Sequence, residues 1–390
     1  MDIVEPMEDR NGLTEHVLPG AGDAARERQA KRYARLHRRL DLAGWLLNAL
    51  LLVLLLAASW TKELRDLAYG VASARPVALL VYLAMIGAIF ELAGLPLDFY
   101  GGYVVEKRFG LSRMTLGGWI KDSLKSLAVG AVLAAGLGEL FYWALAAHPK
   151  TWWIVVAVAL ILFAVLMAQL APVLLFPIFF KFRPIENEEL VERVRLLGER
   201  SGARVSTVME WKLGEKTSKA NAALTGWGAT RRVLLADTLL ERHSAEEIET
   251  IVAHELGHHA HRDIPMAIVV QSALVVLSLW VVNSVLLWAT PLLGFRGLGD
   301  FANLPLVLLV VTGVSLVALP AVNAYSRWRE RNADRFALEL TKNPAAFISA
   351  MRKLAEQNLA ESQPSRVVEF LFHGHPSIAK RIAYAEQVQR

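Results

Sequence analysis

Cysteine is missing from all 390 residues, which excludes disulfides and any metal site built on thiolates. Charge is scarce too, but only locally. Lys and Arg number 42 against 37 Asp and Glu, yet several long stretches carry almost none of them. Gly44–Trp60, Trp152–Phe180, Ile264–Phe295 and Leu304–Tyr325 have no charged residue. Pro76–Leu97 has only Glu91 and Leu127–His148 only Glu139. These stretches raise the mean hydropathy to +0.36, too apolar for an ordinary soluble protein. Each is near or above the ~20 residues that cross a bilayer as a helix. Six transmembrane helices are therefore expected. Internal repeats and low-complexity segments are absent. A cleavable leader is not expected either, because the first apolar run begins only at Gly44, behind Arg26, Arg28, Lys31, Arg32, Arg35, Arg38 and Arg39.

That basic lead reads as a structureless start running into a helix that faces the cytoplasm. Nucleic-acid binding would also use such charge, but the positive-inside rule accounts for it without a further partner, so none is expected. Six spans put both termini on one side. Lys107, Arg108, Arg113, Lys121 and Lys125 fall on that side, with the segments 181–263 and 326–390. The opposite side keeps short connections carrying only Lys62, Arg65, Arg75, Lys150 and Arg296.

The expected organisation follows. Residues 1–43 form a basic polar lead and 44–180 hold four spans. Residues 181–263 form a soluble insert, 264–325 two further spans, and 326–390 a C-terminal part. Within the insert, Glu186–Ser201 reads as an amphipathic helix. Val205–Trp211 and Arg231–Ala236 read as strands. Gly226 and Gly228 between them suit a turn; no P-loop Lys–Ser/Thr follows. Ser326–Leu340 reads as a helix, with more helix beyond and a break at His373–Pro376. Trp143, Trp152 and Trp153 are expected as anchors at the membrane interface.

Chemistry concentrates in His254-Glu255-Leu256-Gly257-His258, an H-E-x-x-H pattern. On a helix the two histidines leave one face and can grip one metal ion, with Glu255 able to act as general base on a water activated by it. The context is helical: Ser244 and Glu247 form a capping box, and Ile248, Ile251, Val252 and Leu256 give an apolar face. A third ligand is required. A further histidine would need Gly at 261 and His at 264, but His261 and Ile264 stand there. A downstream glutamate is the other route, and Glu330 is the candidate; it shares a helix face with Asp334. The competing reading pairs Glu330 with Arg327 or Arg331 on a solvated face. His259 and His261 are read as solvated or interfacial. Glu91 and Glu139 are candidates for function; the competing readings are snorkelling near a span end or lining a water-filled chamber. Ala220-Asn221-Ala222 is read as the edge of a small sheet to which an extended substrate could add, with Asn221 and Ala222 as substrate-binding residues. The competing reading is a turn.

Beyond the zinc motif, Glu106-Lys107-Arg108-Phe109-Gly110, Phe176-Pro177-Ile178-Phe179, Arg232 to Leu239, Ser326 to Ala337, and His375-Pro376 with Arg381-Ile382 stand in the same order as in the M48 metallopeptidases. Over roughly 80–390 the chain resembles their Ste24-type CAAX prenyl protease branch. The resemblance implies a mainly α polytopic membrane protein, a barrel-like bundle around a chamber, with a small α+β gluzincin-type peptidase domain. It implies a single Zn2+ held by His254, His258 and Glu330, with Glu255 as base. It also implies that Asp334 orients a ligand histidine, that His375 stabilises the oxyanion, and that Asn221 lies beside the substrate. The Ste24 type usually has seven spans, against the six expected here. The implied activity is endoproteolysis of peptides or proteins, lipidated or membrane-embedded; with the orientation read from the Lys and Arg distribution, it is expected at an inner membrane with a cytoplasmic site. Quality-control proteolysis is the alternative within the class. A metal-ion transporter using Glu91, Glu139 and the histidines is the alternative outside it, and an inactive scaffold would have to explain the intact Glu255.

Overall fold

The computed structural model describes residues 21–203, 205–226 and 231–389. The structureless start expected within 1–20 lies outside the described residues, as does Gly228. Helix α1 (Ala21–Ala57) carries the basic lead straight into the first span. A short amphipathic helix, α2 (Trp60–Val71), follows. Helix α3 (Arg75–Phe99) runs through a wide π turn into α4 (Glu106–Arg108). Helices α5 (Leu116–Ala147) and α6 (Trp152–Leu170) are the next spans, and a second wide turn leads from α6 to α7 (Phe176–Phe179). The remaining spans are α11 (Asp263–Leu293) and α12 (Leu304–Thr341). Among the described residues, six helices are long and apolar enough to cross a membrane, as the hydropathy pattern predicts.

Their packing closes on itself. In turn α1 packs on α3, α3 on α5, α5 on α6, α6 on α11, α11 on α12, and α12 on α1. A solid bundle would bury about three residues in seven along each helix. In five of the six, the most apolar stretch buries only 11% of its residues, and in α3 it buries 22%. The six helices therefore ring a space. Their shared core is confined to one end, where Leu55, Ala68, Leu79, Tyr82, Tyr142, Trp152, Leu286 and Phe301 pack together. Helix α2 closes that end through polar contacts. Thr61 hydrogen-bonds Tyr82 and the Ala302 carbonyl, and Arg65 pairs with buried Asp300 at 2.5 Å.

Trp152 departs from expectation. It is fully buried in this end core, where its indole N–H donates to Asn283 at 2.8 Å. An apolar ring whose single donor finds a partner inside has no need of the interface. Trp143 is half exposed, as an anchor would be.

The other end of the ring carries the soluble unit. Strand β1 (Phe182–Pro184) and helix α8 (Glu188–Arg200) lead into β2 (Thr207–Trp211), β3 (Ala222–Thr225) and β4 (Arg232–Ala236). Two strands were legible in the pattern; β1 and β3 are too short to show a period. The sheet order is β1-β2-β4-β3, with β2 and β4 parallel and the outer pairs antiparallel, so β3 is an edge strand. After α9 (Asp237–Leu240) comes α10 (Ala245–Ala260), and beyond the sixth span α13 (Pro344–Gln357), α14 (Arg366–Phe372) and α15 (Ile378–Gln389). One core joins Val194 and Leu197 of α8, Val233 and Leu235 of β4, Ile248, Val252 and Leu256 of α10, and Phe347 and Met351 of α13. Helix α12 does not stop at the membrane. No Gly or Pro separates Tyr325 from Leu340, so the expected separate helix there is a continuation of the span.

Candidate metal centre

The capping box fixes where α10 begins. Ser244 accepts from the Glu247 N–H at 3.3 Å, and the Glu247 carboxylate accepts from the Ser244 N–H at 2.8 Å. Glu247 is tied further to Ser349 at 2.6 Å and Lys353 at 2.7 Å on α13. With Ile248, Val252 and Leu256 in the core, the face bearing His254, Glu255 and His258 turns towards α12 and an adjacent cleft. Gly257 permits the approach. A Cβ there would lie 3.1 Å from Ala333 Cα and 3.2 Å from the Ala333 carbonyl oxygen, backbone that cannot swing aside.

That closeness brings Glu330 to the histidines. Donor atoms of His254, His258 and Glu330 lie within 4.8 Å of one another. His254 Nε2 is 3.2 Å from His258 Nε2 and 3.2 Å from Glu330 Oε2, and His258 Nε2 is 3.4 Å from Glu330 Oε1. Each outer ring nitrogen meets a carboxylate: His254 Nδ1 is 2.9 Å from Asp334, and His258 Nδ1 is 2.7 Å from Asp263. Protons placed on both Nδ1 atoms by these carboxylates leave both Nε2 lone pairs bare and aimed together. Glu330 Oε2 is buried there without a hydrogen bond. Three acceptors converging with no donor between them fit a cation, and two nitrogens with one carboxylate oxygen match the donor set of a catalytic zinc site.

The electrostatics agree. Burial pushes His254 and His258 down, yet Asp334 and Glu330 outweigh it and raise both, so the pocket favours positive charge, which a bound cation would supply in place of the protons. Burial raises the Glu255 carboxyl, which makes it a stronger base than a free glutamate.

Arg381 on α15 grips both Asp334 oxygens, at 2.6 and 2.9 Å, and Arg329 pairs with Asp263. Asp263 and the role of Arg381 were not read from the sequence. An aspartate in the first turn of a span was the available signal, since charge there needs a reason. Glu330 does not pair with Arg327, which instead donates to the Glu369 and His373 carbonyls. His375 Nε2 lies 3.1 Å from Glu330 Oε1 and is otherwise exposed.

A cleft of about 250 Å³ runs beside these residues. Ala220, Asn221 and Ala222 line one wall; His254, Glu255, His375 and Arg381 line others. The Ala236 N–H donates to the Asn221 carbonyl at 3.0 Å, which joins this segment to β4 rather than to a turn. His259, His261, Glu91 and Glu139 stand outside the cluster. Gly226, at φ 82°, makes a turn after β3.

The family model described as "Peptidase family M48" matches residues 184–389, more than half of the chain. A second, "CAAX prenyl protease N-terminal, five membrane helices", matches residues 16–181, where this chain has four long helices and the short α2. The chain is 28% identical over 362 residues to "Uncharacterized metalloprotease YhfN" of Bacillus subtilis, covering 92% of this chain and 85% of that protein. It is 31% identical over 180 residues to "CAAX prenyl protease 1" of Saccharomyces cerevisiae, covering 46% of this chain and 40% of that protein. The crystal structure of S. mikatae Ste24p shares the fold, with a TM-score of 0.84 at 22% identity over 93% of this chain and 89% of that one.

Proposed function

The chain belongs to peptidase family M48 and is a multi-pass membrane metallopeptidase; we propose that it is a zinc endopeptidase that cleaves lipid-tailed peptides at the cytoplasmic end of its helical ring. The observation that carries the zinc reading is the convergence of two bare imidazole nitrogens and an unpartnered carboxylate oxygen. His254, His258 and Glu330 would hold the zinc. The chemistry that zinc would supply there is Lewis-acid polarisation of the scissile carbonyl and a lowered pKa for water at neutral pH. Glu255 takes the proton of the attacking water and returns it to the leaving amide nitrogen, so the peptide bond breaks with no net change in protons at the site. Asp334 and Asp263 hold the two imidazoles in their tautomers, and Arg381 fixes Asp334. His375 donates its ring N–H to the oxyanion. The outer edge of β3 at Ala222 binds the substrate backbone, and the Asn221 amide donates to and accepts from the same chain.

The substrate class rests on two supports. A yeast relative carries the name CAAX prenyl protease 1, and one from Arabidopsis thaliana the name CAAX prenyl protease 1 homolog. The helices contact one another in a closed order and share a buried core at the end away from the site. A lipid chain bound between the spans would lie against their apolar side chains. The cytoplasmic orientation, at an inner membrane, rests on the Lys and Arg clustered at the site-bearing end. The transporter reading is not supported, because the convergent ligands lie at the ring's mouth rather than along a path through it. The test is digestion of matched farnesylated and plain peptides by the purified protein, with and without a chelator. Chelator-sensitive cleavage favouring the farnesylated peptide is expected. Equal cleavage of both would keep the peptidase and remove the lipid preference.

A further inference from the structure

The ladder of the edge strand has a fixed parity. Ala236 donates to the carbonyl of Asn221, its direct partner in the antiparallel register, so Asn221, Ala223 and Thr225 turn their backbone groups towards β4. Ala220, Ala222 and Leu224 turn theirs outward, where an added peptide would pair. One of these outward positions is already taken. The Ala220 N–H donates to Asn358 Oδ1 at 2.8 Å, and Asn358 Nδ2 donates back to the Ala220 carbonyl at 3.2 Å. This is the two-bond exchange that a residue of a neighbouring strand would make. The side chain stands where that strand would run, about 4.8 Å out from β3. Its place is secured: Asn358 closes α13, and Gln357 beside it donates to the carbonyls of Ser218 and Thr238, both at 2.9 Å.

We propose that Asn358 ends the substrate groove, acting as a stand-in strand that stops a bound peptide one ladder position past Ala222. The inference rests on the peptidase reading above and adds a length rule to it. A peptide paired at Ala222 would meet Ala220 two residues further on, and there both partners are occupied. Both Ala222 and Asn358 line the cleft with His254 and Glu255, so the stop lies close to the bond being cleaved. On that side only a few residues fit, and a longer chain must leave the plane of the sheet and give up its ladder bonds. Asn358 is a specificity residue that never touches the reacting atoms.

The test uses the purified zinc-loaded full chain and quenched fluorescent peptides that share one cleavage site. One series is extended at the amino end and another at the carboxyl end. The wild type is expected to tolerate extension at one end. At the other it should lose kcat/KM by about tenfold, the equivalent of two ladder hydrogen bonds. Asn358→Ala should flatten that loss while keeping zinc content and melting temperature. Asn358→Asp, which keeps the bulk and the acceptor for Ala220, should retain it. The wild type alone also tests the rule: cuts in a long unstructured polypeptide should fall near one chain end. Cleavage insensitive to extension, or cuts spread evenly, overturns the proposal and leaves the peptidase standing. No cleavage of any peptide overturns both.

Discussion

Glu255 and the three other carboxylates around the histidines, Glu330, Asp334 and Asp263, differ in what they touch, and that sets what each substitution does. Glu255 makes no contact that holds the ligands, so Glu255→Gln is expected to bind zinc normally and lose nearly all turnover. Metal analysis beside a peptidase assay reads both at once. Retained turnover would place the base elsewhere. Asp263→Asn should keep the shape but remove the carboxylate that fixes the His258 tautomer, weakening zinc affinity about 10- to 100-fold in a competition titration. Glu330 was a candidate left once a third histidine at 264 was ruled out, whereas H-E-x-x-H was legible because helical spacing turns sequence into a face. Asp263 was not, because it follows Arg262, whose left-handed φ of 54° swings the chain into α11. Nothing in the pattern announces that turn.

At the scale of elements, the site depends on how α10 lies on α12 and how firmly it starts. Gly257→Ala should push Ala333 away, and Glu330 with it, since both ride on one helix. A loss of about 1–3 kcal/mol is expected from overpacking, with zinc affinity falling as well. Unchanged affinity would mean that α12 yields without moving Glu330. The start of α10 carries a pH signature. Burial pushes the Glu247 carboxyl up, but Lys353, Ser349 and the Ser244 N–H hold it below the usual carboxylate range. A depressed acid contributes stability above its unfolded pKa and loses it as pH falls through its folded one. Glu247→Ala should therefore cost about 1–2 kcal/mol at neutral pH. Thermal melts of the two proteins should converge as pH drops below the ordinary carboxylate range. The capping box was plain in the sequence; its ties to α13 were not, because Ser349 and Lys353 lie about a hundred residues downstream.

For the whole molecule, hydropathy revealed six spans but not that they close. Closure depends on which helix faces each neighbour, and an apolar helix facing lipid on one side and a cavity on the other shows no period to read. Nor did it show that α2, too short to span, seals one end through Arg65 and Asp300. Reporter fusions at residues 150 and 299 should read as external and those at 215 and 385 as cytoplasmic; a cytoplasmic signal at 299 would break the six-span ring. The central claim is that the ring's open end holds zinc between α10 and α12. Metal analysis of the purified protein tests it most directly. Wild type and Glu339→Ala should carry stoichiometric zinc, and His258→Ala and Glu330→Ala should lose it together with peptidase activity. Full zinc occupancy in Glu330→Ala would contradict it.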